Sequence, residues 1–198
     1  PHPAARGDEE FPSDGKKRLV HARLLPIGMT TVDDNAPPNN RSEPARIVLT
    51  DDHDLVRAGL KAMLSGVDDI RIVGEAANGR EAIEVCDLLR PDLMLMDVRM
   101  PEMDGLAATR EIKNRWPLVS VLVLTVHENE DYLLEALKSG AAGYVLKDAP
   151  RGQLLEAVRN VLGGEPSIDQ KLAAQLLKRL ASELPNPPQR RTPTPSRR

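Results

Sequence analysis

The chain predicts an α/β fold: a doubly wound parallel sheet with helices on both faces. From Arg46 onward, short apolar runs alternate with amphipathic stretches, the pattern of repeated βα units. The runs are continuously apolar, which suits strands covered on both sides. Several of them end abruptly on a polar or charged residue, and an open parallel sheet gathers its ligands outside the carboxyl ends of its strands.

Each element follows in order. Residues 1–44 carry Pro1, Pro3, Pro12, Pro26, Pro37, Pro38 and Pro44 among charged and polar residues, so they are expected to be a disordered extension. Met29 is the first methionine, and residues 1–28 are read as a candidate leader or overextended start. The first strand is "RIVLT" (46–50), and Val56, Leu60, Met63 and Leu64 stripe the first helix. "IRIVGEA" (70–76) precedes a helix marked by Ala82, Ile83, Cys86 and Leu89, in which Cys86 reads as core. "LMLM" (93–96) is the third strand, and its helix follows Gly105. "SVLVL" (120–124) leads to a helix in "EDYLLEALKSG" with Gly140 as its stop. "GYVL" (143–146) is the fifth strand, and Leu154, Leu155, Val158, Val161 and Leu162 mark the fifth helix. The domain is thus expected over 45–164, with five strands and five helices.

Beyond it, Ser167 and Gln170 have capping-box spacing, and Leu172, Leu176, Leu177, Leu180 and Leu184 stripe an extra linker helix within 165–184. That helix is expected to pack on the domain or on a partner. Residues 185–198, "PNPPQRRTPTPSRR", hold five prolines, four arginines and no acids, and are expected to be a disordered basic tail, read as a solvated linker rather than a nucleic-acid contact.

Composition narrows the function. A net charge of −3 gives no general attraction to nucleic acid or anionic membrane. One cysteine excludes an internal disulfide and fits a reducing compartment, so a cytoplasmic location is expected. No run approaches the roughly 20 apolar residues of a membrane span, and no membrane partner is expected.

The informative residues lie at the strand ends. The first strand ends in Asp51 and Asp52, the third in Asp97, the fourth in Thr125 and the fifth in Lys147. Right-handed crossovers allow the first and third strands to be neighbours, which brings three carboxylates together. Two unit charges 4 Å apart repel by about 4 kcal/mol at an effective dielectric near 20, so the cluster calls for a cation. Mg²⁺ suits a shallow, wet site of a few carboxylates and phosphate oxygens. An anionic phosphoryl group on Asp97 would meet metal, the Lys147 ammonium and the Thr125 hydroxyl.

These motifs carry a resemblance. From about Arg46 to Leu162, with "LTDDHDLVRAGL", Asp97 followed by Met100, Pro101 and Gly105, and "GAAGYVLKD", the chain resembles the receiver domain of bacterial two-component response regulators of the NarL/FixJ type. The resemblance implies a flavodoxin-like sheet of order 2-1-3-4-5. It implies that Asp97 is the phosphoacceptor, receiving a phosphoryl group from a sensor histidine kinase, with Thr125 and Lys147 as its catalytic partners. It also implies that Asp51, Asp52, Asp97 and the backbone carbonyl of Arg99 hold Mg²⁺, and that Thr125 and Tyr144 form a conformational switch in which Tyr144 enters space vacated by Thr125. The expected output is a phosphorylation-dependent homodimer that controls transcription, using the fourth and fifth helices, where Leu133, Leu134 and Leu137 cannot all be core. Many relatives carry proline after the lysine; Asp148 stands here, which puts a cis peptide at that joint in doubt. The subfamily usually adds a C-terminal helix-turn-helix, so DNA is an expected partner only if such a domain exists beyond this chain.

Plainer readings exist for each residue. Asp51 and Asp52 could cap the first helix, although Asp54 stands nearer the expected cap. Asp97 could be an ordinary loop acid, and Thr125 and Lys147 ordinary strand-end residues; their joint placement on one rim argues otherwise. Tyr144 could simply pack. Arg99 and His127 flank the phosphoryl entrance or are merely exposed, and Trp116 ends a helix and covers core. Two rival functions remain. A haloacid-dehalogenase-type phosphohydrolase would place Asp-x-Asp after its first strand, whereas here Asp97 follows the third and Arg99 stands where the second acid would be. A phosphorylation-independent interaction module would usually lack one of the acids or the lysine.

Overall fold

The computed structural model describes residues 43–126 and 130–183. The expectations for residues 1–42, His127, Leu184 and the tail 185–198 fall outside the described residues. Strands and helices alternate as β1 (Ala45–Thr50), α1 (Asp54–Leu64), β2 (Ile70–Ala76), α2 (Gly79–Leu89), β3 (Leu93–Asp97), α3 (Gly105–Arg115), β4 (Ser120–Thr125), α4 (Glu130–Lys138), β5 (Gly143–Leu146), α5 (Arg151–Leu162), β6 (Ser167–Ile168) and α6 (Gln170–Glu183).

All strands pair in parallel, in the order β2-β1-β3-β4-β5-β6. The expected order is present, and the expected five strands become six. Successive residues of a strand point to opposite faces, which splits the core into two layers. Ile47, Leu49, Leu93, Leu95, Leu122 and Leu124 face α1 and α5. Val48, Met94, Met96, Val121 and Val123 face α2, α3 and α4. Both faces of β1, β3 and β4 are therefore apolar, which explains the unbroken runs in the sequence. Strand order reverses between β1 and β3, so their carboxyl ends form the crevice where a ligand site belongs.

Two caps differ from expectation. His53, not Asp54, is the N-cap of α1, and Asp54 is the first helical residue. Ser167 does not open a capping box, because it belongs to β6 and pairs with Gly143. Asp169 takes the capping role, accepting from the backbone N–H of Lys171 at 2.8 Å and of Leu172 at 3.2 Å. Gly143 makes room for β6: a Cβ there would lie 2.7 Å from the Ser167 carbonyl oxygen and from Leu122. Gly140 ends α4 region with a left-handed φ of 88°, a conformation that favours glycine.

Within 165–183 the chain first adds β6 to the sheet and then forms the expected helix, α6, which packs on the domain. Leu172 and Leu176 of α6 are buried in the layer that holds Leu133, Ala136 and Tyr144, and Arg179 pairs with Asp131 at the start of α4. Leu133 is core, and Leu134 and Leu137 are half-buried against it. The side of α4 expected as output surface is thus partly covered by α6.

Cys86 is fully buried, and burial pushes its thiol up to about 11. A thiol reagent at neutral pH is therefore expected to label it only as fast as the protein opens, and immediate labelling of native protein would contradict this packing. Leu95→Ala, at the centre of β3, is expected to cost about 2–5 kcal/mol in urea unfolding.

Candidate functional site

The site lies on the rim where β1, β3, β4 and β5 end. Asp51 follows β1, is fully buried, and donates its backbone N–H to the Ala76 carbonyl at 3.1 Å. Its Oδ1 accepts the His53 N–H at 3.0 Å, which curls the β1–α1 loop around the carboxylate. Asp97 closes β3 and is buried, as is Thr125 at the end of β4. Lys147 follows β5 and is anchored by its backbone N–H, 2.7 Å from the Thr125 carbonyl.

The sheet brings these groups together. Lys147 Nζ lies 2.6 Å from Asp51 Oδ2 and 2.9 Å from Asp97 Oδ2. Burial raises the Asp97 carboxyl above its ordinary range; Lys147 opposes that rise, the Asp51 charge adds to it, and the Arg99 backbone N–H lowers it again. Burial alone would lower the Lys147 ammonium, yet its contacts with Asp51 and Asp97 hold it above its ordinary value. Both shifts are upward, which favours the charged form of the ammonium and disfavours that of the Asp97 carboxylate, because one ammonium serves two buried carboxylates. The cation is secured, and Asp97 is left only partly compensated.

Asp52 is half-buried, and its Oδ1 together with Asp51 Oδ2 has no hydrogen bond of good geometry among the described residues. His53 Nδ1 stands 2.8 Å from that Asp52 oxygen. Atoms of Asp51, Asp52 and His53 able to ligate a metal lie within 4.8 Å of one another. Three carboxylates (Asp51, Asp52, Asp97) and one ammonium leave two negative charges in excess, which suits a divalent cation. His53 was not singled out from the sequence, although its place directly after two acids was a usable signal.

Thr125 and Tyr144 also meet. Tyr144 is 1% exposed, and burial raises its phenol above the ordinary value while a hydrogen bond to the Thr125 side chain works against the rise. The ring expected to move with the switch lies inside the fold in this structure. No cis peptide occurs among the described residues, so the Lys147–Asp148 joint is trans.

Gly105 shapes the loop after Asp97. Its N–H donates to the Val98 carbonyl at 2.9 Å, and a Cβ at this position would fall 1.8 Å from the Asp97 carbonyl oxygen. Asp104 caps α3 by accepting the Ala107 N–H at 2.7 Å. Arg99 is exposed, and its described contact with the site is the backbone N–H that faces Asp97.

The sequence profile of the response regulator receiver domain matches residues 47–159. The chain belongs to that family. It is 40% identical over 133 residues to the transcriptional regulatory protein DegU of Brevibacillus brevis, an alignment covering 67% of this chain and 56% of DegU. The chain therefore matches little more than half of that relative's length. Among solved structures, it is similar to a LuxR-family two-component response regulator from Aurantimonas, with a TM-score of 0.66 and 30% identity, covering 70% of this chain and 99% of the other. It is also similar to the receiver domain of the putative regulator NarL from Mycobacterium tuberculosis, with a TM-score of 0.59 and 36% identity, covering 62% of this chain and 99% of the other. The receiver is thus of the NarL/LuxR type, in a family that signals rather than turns over substrate. Among the described residues, no helix is long and apolar enough to cross a membrane.

Because the Asp97 loop closes only over a bare Cα, Gly105→Ala is expected to destabilise the protein by about 1–3 kcal/mol in urea unfolding. Gly59→Ala, on α1 with nothing within 4 Å of the added Cβ, is the control and is expected to be neutral or stabilising by about 0.5–1 kcal/mol.

Proposed function

We propose that this receiver accepts a phosphoryl group on Asp97 from the phosphohistidine of a sensor histidine kinase and changes its conformation in response. The observation that carries this reading is the rim cluster, in which one ammonium bridges the buried carboxylates of Asp51 and Asp97 and a third carboxylate, Asp52, stands beside them. Asp51, Asp52, Asp97 and the Arg99 carbonyl would hold Mg²⁺, with His53 beside Asp52. When bound, Mg²⁺ supplies charge neutralisation between carboxylate and phosphoryl oxygens.

The chain's own groups do the rest. A carboxylate oxygen of Asp97 forms the new P–O bond as the donor's P–N bond breaks, and the electron pair stays on the imidazole nitrogen. Lys147, already 2.9 Å from Asp97, pairs with the added negative charge. Thr125 turns its hydroxyl toward the phosphoryl oxygens, which takes it from its hydrogen bond with Tyr144. The phosphoryl group carries about −1.5 to −2 charges where the carboxylate carried −1, and brings three strong acceptor oxygens, enough to redirect such contacts. The rearrangement reaches α4, α5 and the α6 helix packed on α4, and the phosphorylated form associates as a homodimer. Its output is transcriptional if the protein carries a DNA-binding domain beyond this chain, and its location is cytoplasmic.

Intact-mass measurement with Mg²⁺ and a small acyl phosphate is expected to show one added phosphoryl group on the wild type and none on Asp97→Asn. Equal addition to both would overturn the assignment. Light scattering before and after the same treatment is expected to show a rise to dimer mass, and an unchanged mass would remove the dimer from the reading.

A further inference from the structure

Resting on the reading above, we infer that Arg57 is a positioning residue: it fixes the β1–α1 loop so that Asp51 and Asp52 are preset for a divalent cation. Arg57 lies on α1, one helical turn past the loop, with its side chain only 13% exposed. Its guanidinium makes three separate attachments. Nη1 donates to the backbone carbonyl of Asp51 at 2.5 Å, Nη2 pairs with the Asp54 carboxylate, and Nε donates to Glu75 Oε2 at 3.2 Å.

Glu75 is what turns these contacts into a brace. It sits near the end of β2, 8% exposed, and a carboxylate so deeply placed needs cationic partners. It has two: Arg57, and Lys61 with Nζ 2.6 Å from its other oxygen. The loop is therefore tied through Arg57 to a strand of the rigid sheet. Holding the Asp51 carbonyl fixes the peptide plane between Asp51 and Asp52, and that plane sets the directions in which both side chains leave the chain. Arginine suits the task because its planar fork reaches several acceptors at once, whereas lysine offers one point charge.

The sign of the effect separates positioning from simple electrostatics. Arg57 is a positive charge near a cation site, so removing it would strengthen metal binding if charge alone mattered. Loss of the brace weakens binding instead, and outer partners of metal ligands commonly govern affinity by about 10–100-fold. Calorimetric titration of the full chain with Mg²⁺ alone is the direct test. Arg57→Met and Arg57→Lys are each expected to raise the Kd about tenfold or more, with Glu75→Gln moving it the same way by less. Arg57→Lys keeps the charge and serves if Arg57→Met fails to fold. In the acyl-phosphate reaction, the half-saturating Mg²⁺ concentration of the lysine variant is expected to rise while its rate at saturating Mg²⁺ stays near wild type. An Arg57→Lys protein that folds and binds Mg²⁺ as tightly as wild type, or more tightly, overturns the inference. A wild type that binds no Mg²⁺ and gains no phosphoryl group overturns the underlying reading instead.

Discussion

One lysine shared between two buried carboxylates governs this structure. Lys147 touches both Asp51 and Asp97, and Asp52 stands beside them without a comparable cation. Burying charge is costly unless it is matched, and breaking a buried pair by removing one partner typically costs about 3–5 kcal/mol. Sheet order, loop closure at Gly105 and the anchoring of Lys147 to the Thr125 carbonyl all bring these groups within contact. The fold stays folded with an excess of negative charge at its rim, held by the one ammonium that two of the three carboxylates share.

Much of this was legible in the sequence because it follows from local pattern. The five main strands were visible as apolar runs, since β1, β3 and β4 are buried on both faces and leave no room for a polar alternate. The rim residues were visible because parallel strands all end on one side, so Asp51, Asp97, Thr125 and Lys147 needed only strand ends to be located. Strand β6 was not visible: "SI" is too short for a periodic signal, and its pairing depends on Gly143, 24 positions earlier.

What sequence reasoning missed was chiefly long-range. Arg57 and Glu75 are 18 residues apart and meet only because α1 packs beside β2, so neither one announces the other. Ser167 had the spacing of a cap but a neighbour, Asp169, better placed to accept the helix N–H groups. Tyr144 was expected as the switch aromatic, while its bond to Thr125 depends on the β4–β5 register, in which Val123 pairs with Tyr144 and Thr125 with Leu146. Local composition encodes elements, and tertiary pairing encodes the site's support.

The short sixth strand has a consequence for solubility. A parallel sheet that stopped at β5 would offer its open backbone to any extended segment of another molecule, inviting edge-to-edge growth. Here Ser167 and Ile168 occupy that backbone at Gly143 and Tyr144, and the chain then turns into a helix. The margin that remains on this side is two residues long, too little to template a further strand, so the same segment that extends the sheet also blunts this edge, leaving β2 as the long edge on the other side.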